Sequence, residues 1–343
     1  MSAHFARILS GLLSDPAVLP DDVRAAFEAI LSGDWTPVQV GAFAVALRAR
    51  GETPEVIVAA AQALRAVMTQ VIHDLPVVVD TCGTGGDGSH TLNLSSAAAL
   101  LVAACGIPVG KHGNRSASSR CGSADVFEAL GIPIDLPAVR QGDVLREAGI
   151  AFLFAQAHHP ALKHAAQARR EIGVRTIFNA LGPLANPAKA THQLMGVYED
   201  SLRPIAANAL RGLGCKRAWV VRSVDGLDEV SPCAETLVSD LLSSGEVVER
   251  VIRPEDFGIA RLDRAAIAGA DPETNARIIS QILQGDPHPA SDAVILNAAA
   301  TLAVVSDEPF LECAARARRS IRDGSAWHTL SRWKSAAIRV RQR

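Results

Sequence analysis

Apolar residues recur at helical spacing through the first 73 positions, and no strand-like alternation interrupts them. Pro20-Asp21-Asp22 opens one helix that ends before Gly33, Thr36-Pro37 opens a second that ends at Arg50 before Gly51, and Thr53-Pro54 opens a third toward Met68. Proline fits the first turn, where its missing N–H has no helical partner anyway, and glycine follows the last turn. Helices this short must bury their apolar faces against each other or against a partner. The pattern predicts a small all-helical domain over residues 1–73, joined by helices from about 158–188 and contributing a dimer interface.

From Pro76 the rhythm changes. Short apolar runs at 77–79, 107–109, 150–155 and 218–221 alternate with helical stretches at 97–105, 137–148 and 158–171. That alternation predicts an α/β domain over residues 74–343, a mostly parallel sheet flanked by helices. Residues 235–252 alternate around Ser244-Gly245 and read as a hairpin, and helices follow at 272–283, 291–305 and from 308 to the end. Gly182-Pro183 and Asn186-Pro187 break the pattern of residues 175–187 and predict an irregular functional loop.

The first α/β strand ends at Asp80 and leads into four glycines within six residues, Gly83, Gly85, Gly86 and Gly88. Such a loop turns backbone N–H groups toward an anion, and the buried helix after Asn93, Ser95 and Ser96 adds more. The next strand delivers Lys111 to Arg115 and the serines Ser116, Ser118 and Ser119 to the same strand ends. Gly83, Gly85 and Gly88 match the dinucleotide spacing G-x-G-x-x-G, but no helix opens on them and the second strand ends in Lys111 rather than an acid. No Lys-Ser or Lys-Thr pair follows the glycines, which excludes a Walker loop. A phosphorylated sugar or similar polyanion is favoured over a plain structural turn or a dinucleotide site.

Composition narrows the partners. A net charge of −2 over 343 residues gives no field for nucleic acid or an acidic membrane. No apolar run approaches the ~20 residues that cross a bilayer, and a cytoplasmic protein with six reduced cysteines is expected.

DTCGTGGDG, NLSS, KHGNRSASS, HHPALKH, RTIFNALGPLANP and DGLDEVSP, in this order, resemble the anthranilate phosphoribosyltransferase family of tryptophan biosynthesis over nearly the whole chain. The resemblance implies transfer of the 5-phosphoribosyl group of phosphoribosyl pyrophosphate (PRPP) to the amine of anthranilate, with Mg²⁺ and a homodimer. It implies PRPP contacts at Gly83, Gly86, Asp87, Thr91, Asn93, Ser95, Ser96, Lys111, His112, Gly113, Asn114, Arg115, Ser116, Ala117, Ser118, Ser119 and Ser123. Anthranilate falls to Gly83, Asn114, His159, Arg169 and Gly182, and the metal to Ser95, Asp228 and Glu229. No residue is assigned as a dedicated catalytic base; Lys111, His112 and His159 support by position and charge. Departures from the family pattern, Ser96 for a common threonine, Gln156-Ala157 and Arg222-Ser223, remove no implied ligand.

Two rivals stay open. A pyrimidine nucleoside phosphorylase shares the fold but should lack Arg169 with Asn114. A nucleic-acid-binding relative would use the basic C-terminus, with Arg316, Arg318, Arg319, Arg322, Arg332, Lys334, Arg339, Arg341 and Arg343.

Overall fold

Proline stands in the first turn of three of the four N-terminal helices. In a computed structural model that describes residues 2–14, 18–116 and 120–342, they run Ser2–Ser14, Pro20–Ser32, Pro37–Arg50 and Pro54–Val67. Thr36 Oγ1 accepts from the Gln39 N–H while the Gln39 side chain accepts from the Thr36 N–H, a reciprocal cap. Phe27, Phe43 and Trp35 fill the space between these helices, and Phe178 of the later helix Ile177–Leu184 packs on Phe27 with ring centroids 5.3 Å apart.

Seven strands form one sheet: β1 Val79–Gly83, β2 Val109–Gly113, β3 Ile150–Phe154, β4 His192–Gly196, β5 Arg217–Ser223, β6 Thr236–Leu241 and β7 Val247–Ile252. The order is β3-β2-β1-β4-β5-β6-β7, parallel through β5 and antiparallel for the hairpin β6-β7. One face carries the helices Leu94–Ala104, Ser291–Ser306 and Ser325–Arg341 in a first core; Met195, Val220 and Ala218 join the N-terminal helices in a second. Strand order reverses between β1 and β4, and a crevice at their carboxyl ends is the usual ligand position of such sheets.

Four expectations change. Both strands near the site lie further along the chain than their apolar runs, so Asp80 and Thr81 sit inside β1 and Lys111 and His112 inside β2. These buried polar groups are partnered: Asp80 accepts from the His112 N–H at 3.1 Å and from Asn186 Nδ2 at 2.7 Å, and Lys111 Nζ donates to the Thr81 carbonyl. The central strand β4 was not expected at all. His192 and Gln193 mask its apolar signature, and Gln193 satisfies itself by donating to the Pro183 carbonyl at 2.8 Å.

Residues 177–184 form a helix rather than a loop. Thr176 and Asn179 cap it, Pro183 lies in its final turn, and Gly182 before that proline has no Cβ to clash with the ring. The C-terminal segment is two helices, Phe310–Arg322 and Ser325–Arg341, divided at Gly324 with φ 79°. Four of its arginines are paired, Arg316 with Glu308, Arg318 with Asp292, Arg339 with Glu147 and Arg341 with Asp135. Arg343 lies outside the described residues. Among the described residues no helix is long and apolar enough to cross a membrane.

Candidate active site

The loop after β1 meets the loop after β5 at the strand-order reversal. Gly85 N–H donates to Asp228 Oδ2 at 2.9 Å. The approach is close enough to require glycine: a Cβ on Gly83 would stand 2.6 Å from Asp228 Oδ2, and one on Gly196 1.6 Å from the Asp228 carbonyl oxygen. Gly85, Gly86 and Gly88 take φ of 68°, 73° and 72°, so the loop curls in a form that side chains with a Cβ resist.

Three carboxylates converge there. Asp87 accepts from the Ser89 N–H at 3.0 Å and from the Asp228 N–H at 3.4 Å, and Glu229 accepts from the Ser95 N–H at 3.2 Å. Burial, then the charges of Asp87 and Glu229, push the Asp228 carboxyl up to about 8. Burial pushes Glu229 up to about 7, opposed by Lys111 and the Ser95 N–H. Burial also works against ionised Asp87, but the Ser89 and Asp228 hydrogen bonds outweigh it and hold its carboxyl below the usual range. Carboxylates this crowded are relieved by a cation, and an all-oxygen set suits Mg²⁺. A cavity of about 10 Å³ lined by Thr81, Ser95, Asp228, Glu229, Asn297 and Thr301 lies beside them. Among the described residues no three His, Cys, Asp or Glu side chains form a ready-made cage, so two carboxylates would need waters and substrate phosphate oxygens to complete a shell.

The loop after β2 is pinned to the helix Ser123–Ala129. Arg115 bridges Asp125 and Glu128, each at 2.9 Å, so its guanidinium is committed to two acids. Asp125 also accepts from the Ser116 and Gly122 N–H groups, and Ser123 Oγ donates to the Asn114 carbonyl at 3.3 Å. A Cβ on Gly113 would collide with Ser123 Oγ, and one on Gly122 with the Ser116 backbone. Asn93 is held by Cys121 and Asn275, Thr91 bridges to Ala268, and Ser96 is buried in the first turn of Leu94–Ala104. Ala117, Ser118 and Ser119 lie outside the described residues.

Across the crevice, His112 Nδ1 sits 3.0 Å from the Gly182 carbonyl, and its ring meets that of His159 at 5.1 Å. Space opens where a Gly182 side chain would be. Arg169 is exposed, with its guanidinium carbon 5.8 Å from the Phe178 ring and no carboxylate partner among the described residues. Asn114 is exposed as well, its Oδ1 accepting from the Arg115 N–H at 2.8 Å. Sequence reading missed Asn186, which ties Asp80 to the Gly110 carbonyl, and Arg175 beside Gly86. Asn186-Pro187 carried a turn signal, but nothing local named its distant partner.

Burial and the neighbouring histidines hold His112 well below its ordinary value of 6.5, and burial with His158 brings His159 to about 4. Both are neutral near pH 7. A depressed folded value means stability present above 6.5 that is lost as pH falls toward about 4. Denaturant midpoints should therefore fall between about pH 7 and about pH 5, and less so in His159→Gln. Parallel profiles for the two proteins would exclude His159 as a source.

The model of the glycosyl transferase family a/b domain matches residues 75–327, and that of its helical bundle domain matches residues 6–68. The chain is 48% identical over 319 residues to the anthranilate phosphoribosyltransferase of Symbiobacterium thermophilum, with 93% of each chain covered. The anthranilate phosphoribosyltransferase structure from Thermus thermophilus superposes with a TM-score of 0.90 at 38% identity, covering 96% of this chain and 99% of that one. The Saccharomyces cerevisiae enzyme in complex with PRPP and Mg gives 0.90 at 28% identity, covering 98% and 99%.

Proposed function

Because this chain belongs to the anthranilate phosphoribosyltransferase family, we propose that its crevice holds PRPP on the glycine loop and anthranilate against Arg169 and His159. The protein transfers the 5-phosphoribosyl group of PRPP to the anthranilate amine and releases pyrophosphate. The observation that carries the site assignment is the meeting of the glycine loop with Asp228-Glu229 at the reversal of strand order.

In this reading, backbone N–H groups of the glycine loop, Asn93, Ser95, Ser96 and the 111–119 segment receive the phosphates, including the three residues outside the description. Ser95, Asp228 and Glu229 would hold Mg²⁺, which when bound would neutralise charge on the leaving pyrophosphate. The C1–O bond breaks with oxocarbenium character, the amine nitrogen bonds to C1, and its proton leaves to solvent afterwards. Neutral His112 and His159 position the acceptor, and Asn114 and Gly182 complete its pocket. Loss of anthranilate fluorescence with PRPP and Mg²⁺ tests the function. Phosphorolysis of a pyrimidine nucleoside with anthranilate untouched would overturn it.

The helical unit comprises residues 1–73 with about 158–188, supported by the Phe27–Phe178 contact, and the α/β unit holds the rest. It forms a homodimer through exposed apolar residues of the helical unit: Val38 and Val45, 81% and 47% exposed, lie seven residues apart on one face of Pro37–Arg50. Val38→Asp with Val45→Asp should halve the mass in sedimentation; an unchanged mass would place the interface elsewhere. Cys82, Cys105, Cys215, Cys233 and Cys313 form no disulfide among the described residues, which suits a reducing cytoplasm.

A further inference from the structure

One guanidinium outside the residues assigned above reaches the glycine loop from the opposite wall. Arg175 lies between the helices Ala166–Ile172 and Ile177–Leu184, whose residues Ala168, Ile177 and Phe178 belong to the core of the helical unit. Its guanidinium carbon stands 4.2 Å from the centroid of the Tyr198 ring, and its Nη2 is 3.0 Å from where a Cβ on Gly86 would project. The absent side chain at Gly86 makes that approach possible. The Tyr198 N–H donates to Thr84 Oγ1 at 3.0 Å and the Thr84 N–H to the Gly196 carbonyl at 2.9 Å, so the ring that supports Arg175 is tied to the loop itself.

Locally the charge acts on the Tyr198 ring and, through space, on Glu199, without pairing with either. Glu199, next to Tyr198, is taken by both oxygens at 3.0 Å from Arg48, and Arg175 has no ion-pair partner among the described residues. Arg115, the arginine implied by sequence, is committed to Asp125 and Glu128. A planar guanidinium stacked on an aromatic ring presents its N–H fork in a fixed direction, which suits a phosphate better than an ammonium would.

We infer that Arg175 is a pyrophosphate-binding residue, delivered to the glycine loop from the helical side of the crevice, so that bound PRPP ties the two sides together. This rests on the glycine loop being the PRPP cradle. Because the guanidinium comes from the helical unit, its loss should weaken the hold on the pyrophosphate end and leave the anthranilate pocket alone.

The test compares Arg175→Gln, Arg175→Lys and Gly85→Ala with the unaltered protein, after thermal melts establish folding. A Cβ at Gly85 meets nothing within 4 Å, but its φ of 68° strains the loop without touching Arg175. Arg175→Gln should raise the PRPP KM and the calorimetric Kd of Mg-pyrophosphate by about tenfold or more, with the anthranilate KM within about twofold. Arg175→Lys should recover part of that loss. Unchanged PRPP and pyrophosphate affinity, or an equal rise in both KM values, would overturn the role of Arg175. A Gly85→Ala variant with normal PRPP KM would instead overturn the cradle reading beneath it.

Discussion

Asp228→Asn combined with Glu229→Gln is expected to cut Mg²⁺-dependent turnover by about a hundredfold or more while leaving the protein folded. The amides keep the shape of the side chains and their acceptor oxygens for the Gly85 and Ser95 N–H groups. What they remove is the charge that would hold the metal. Both carboxyls are pushed upward, to about 8 and about 7, because their charged forms are disfavoured where they sit. A raised carboxyl value means that ionisation costs stability, increasingly as pH rises toward those values. The metal-free variant should therefore melt at a higher temperature than the unaltered protein near pH 8, although it is nearly inactive. Activity and stability moving in opposite directions separate a metal site from a structural pair. Full turnover at limiting Mg²⁺ would show that these acids do not hold the ion.

Arg169→Ala should raise the KM for anthranilate by roughly ten- to hundredfold, the loss of one charge-assisted contact of about 1.5–3 kcal/mol. The PRPP KM should stay near its original value. Arg169 is exposed, forms no ion pair among the described residues, and has its guanidinium carbon 5.8 Å from the Phe178 ring. Its removal therefore leaves no buried partner stranded, and thermal stability should change little. Arg169→Lys should not restore the affinity, because an ammonium cannot offer the paired N–H groups that match a carboxylate. Equal rises in both KM values would point to a disturbed helix instead.

The fold and the site were unequally legible. Helix limits from Pro20 to Met68 could be read closely, as at Pro37–Arg50, because a cap such as Thr36 with Gln39 acts within one turn; the limits of Ser2–Ser14 carried no such signal. The C-terminal break at Gly324 and the helix Ile177–Leu184 could not. In the second, Thr176 and Asn179 made a cap that two Pro-containing pairs concealed.

Periodicity, capping and backbone freedom are local properties, so the helical start, the α/β remainder and a glycine-rich loop followed by Lys111 could be read straight from the sequence. Long-range packing sets the rest: β4 at the centre of the sheet beside β1, Asp80 satisfied by Asn186, Asp228 closed on Gly85, and Arg175 beside Gly86. The Asp80–Asn186 and Gly85–Asp228 contacts join residues 106 and 143 positions apart. A buried polar residue is tolerated only where a distant group completes its hydrogen bonds, and the sheet order that brings such groups together is a property of the whole packed chain.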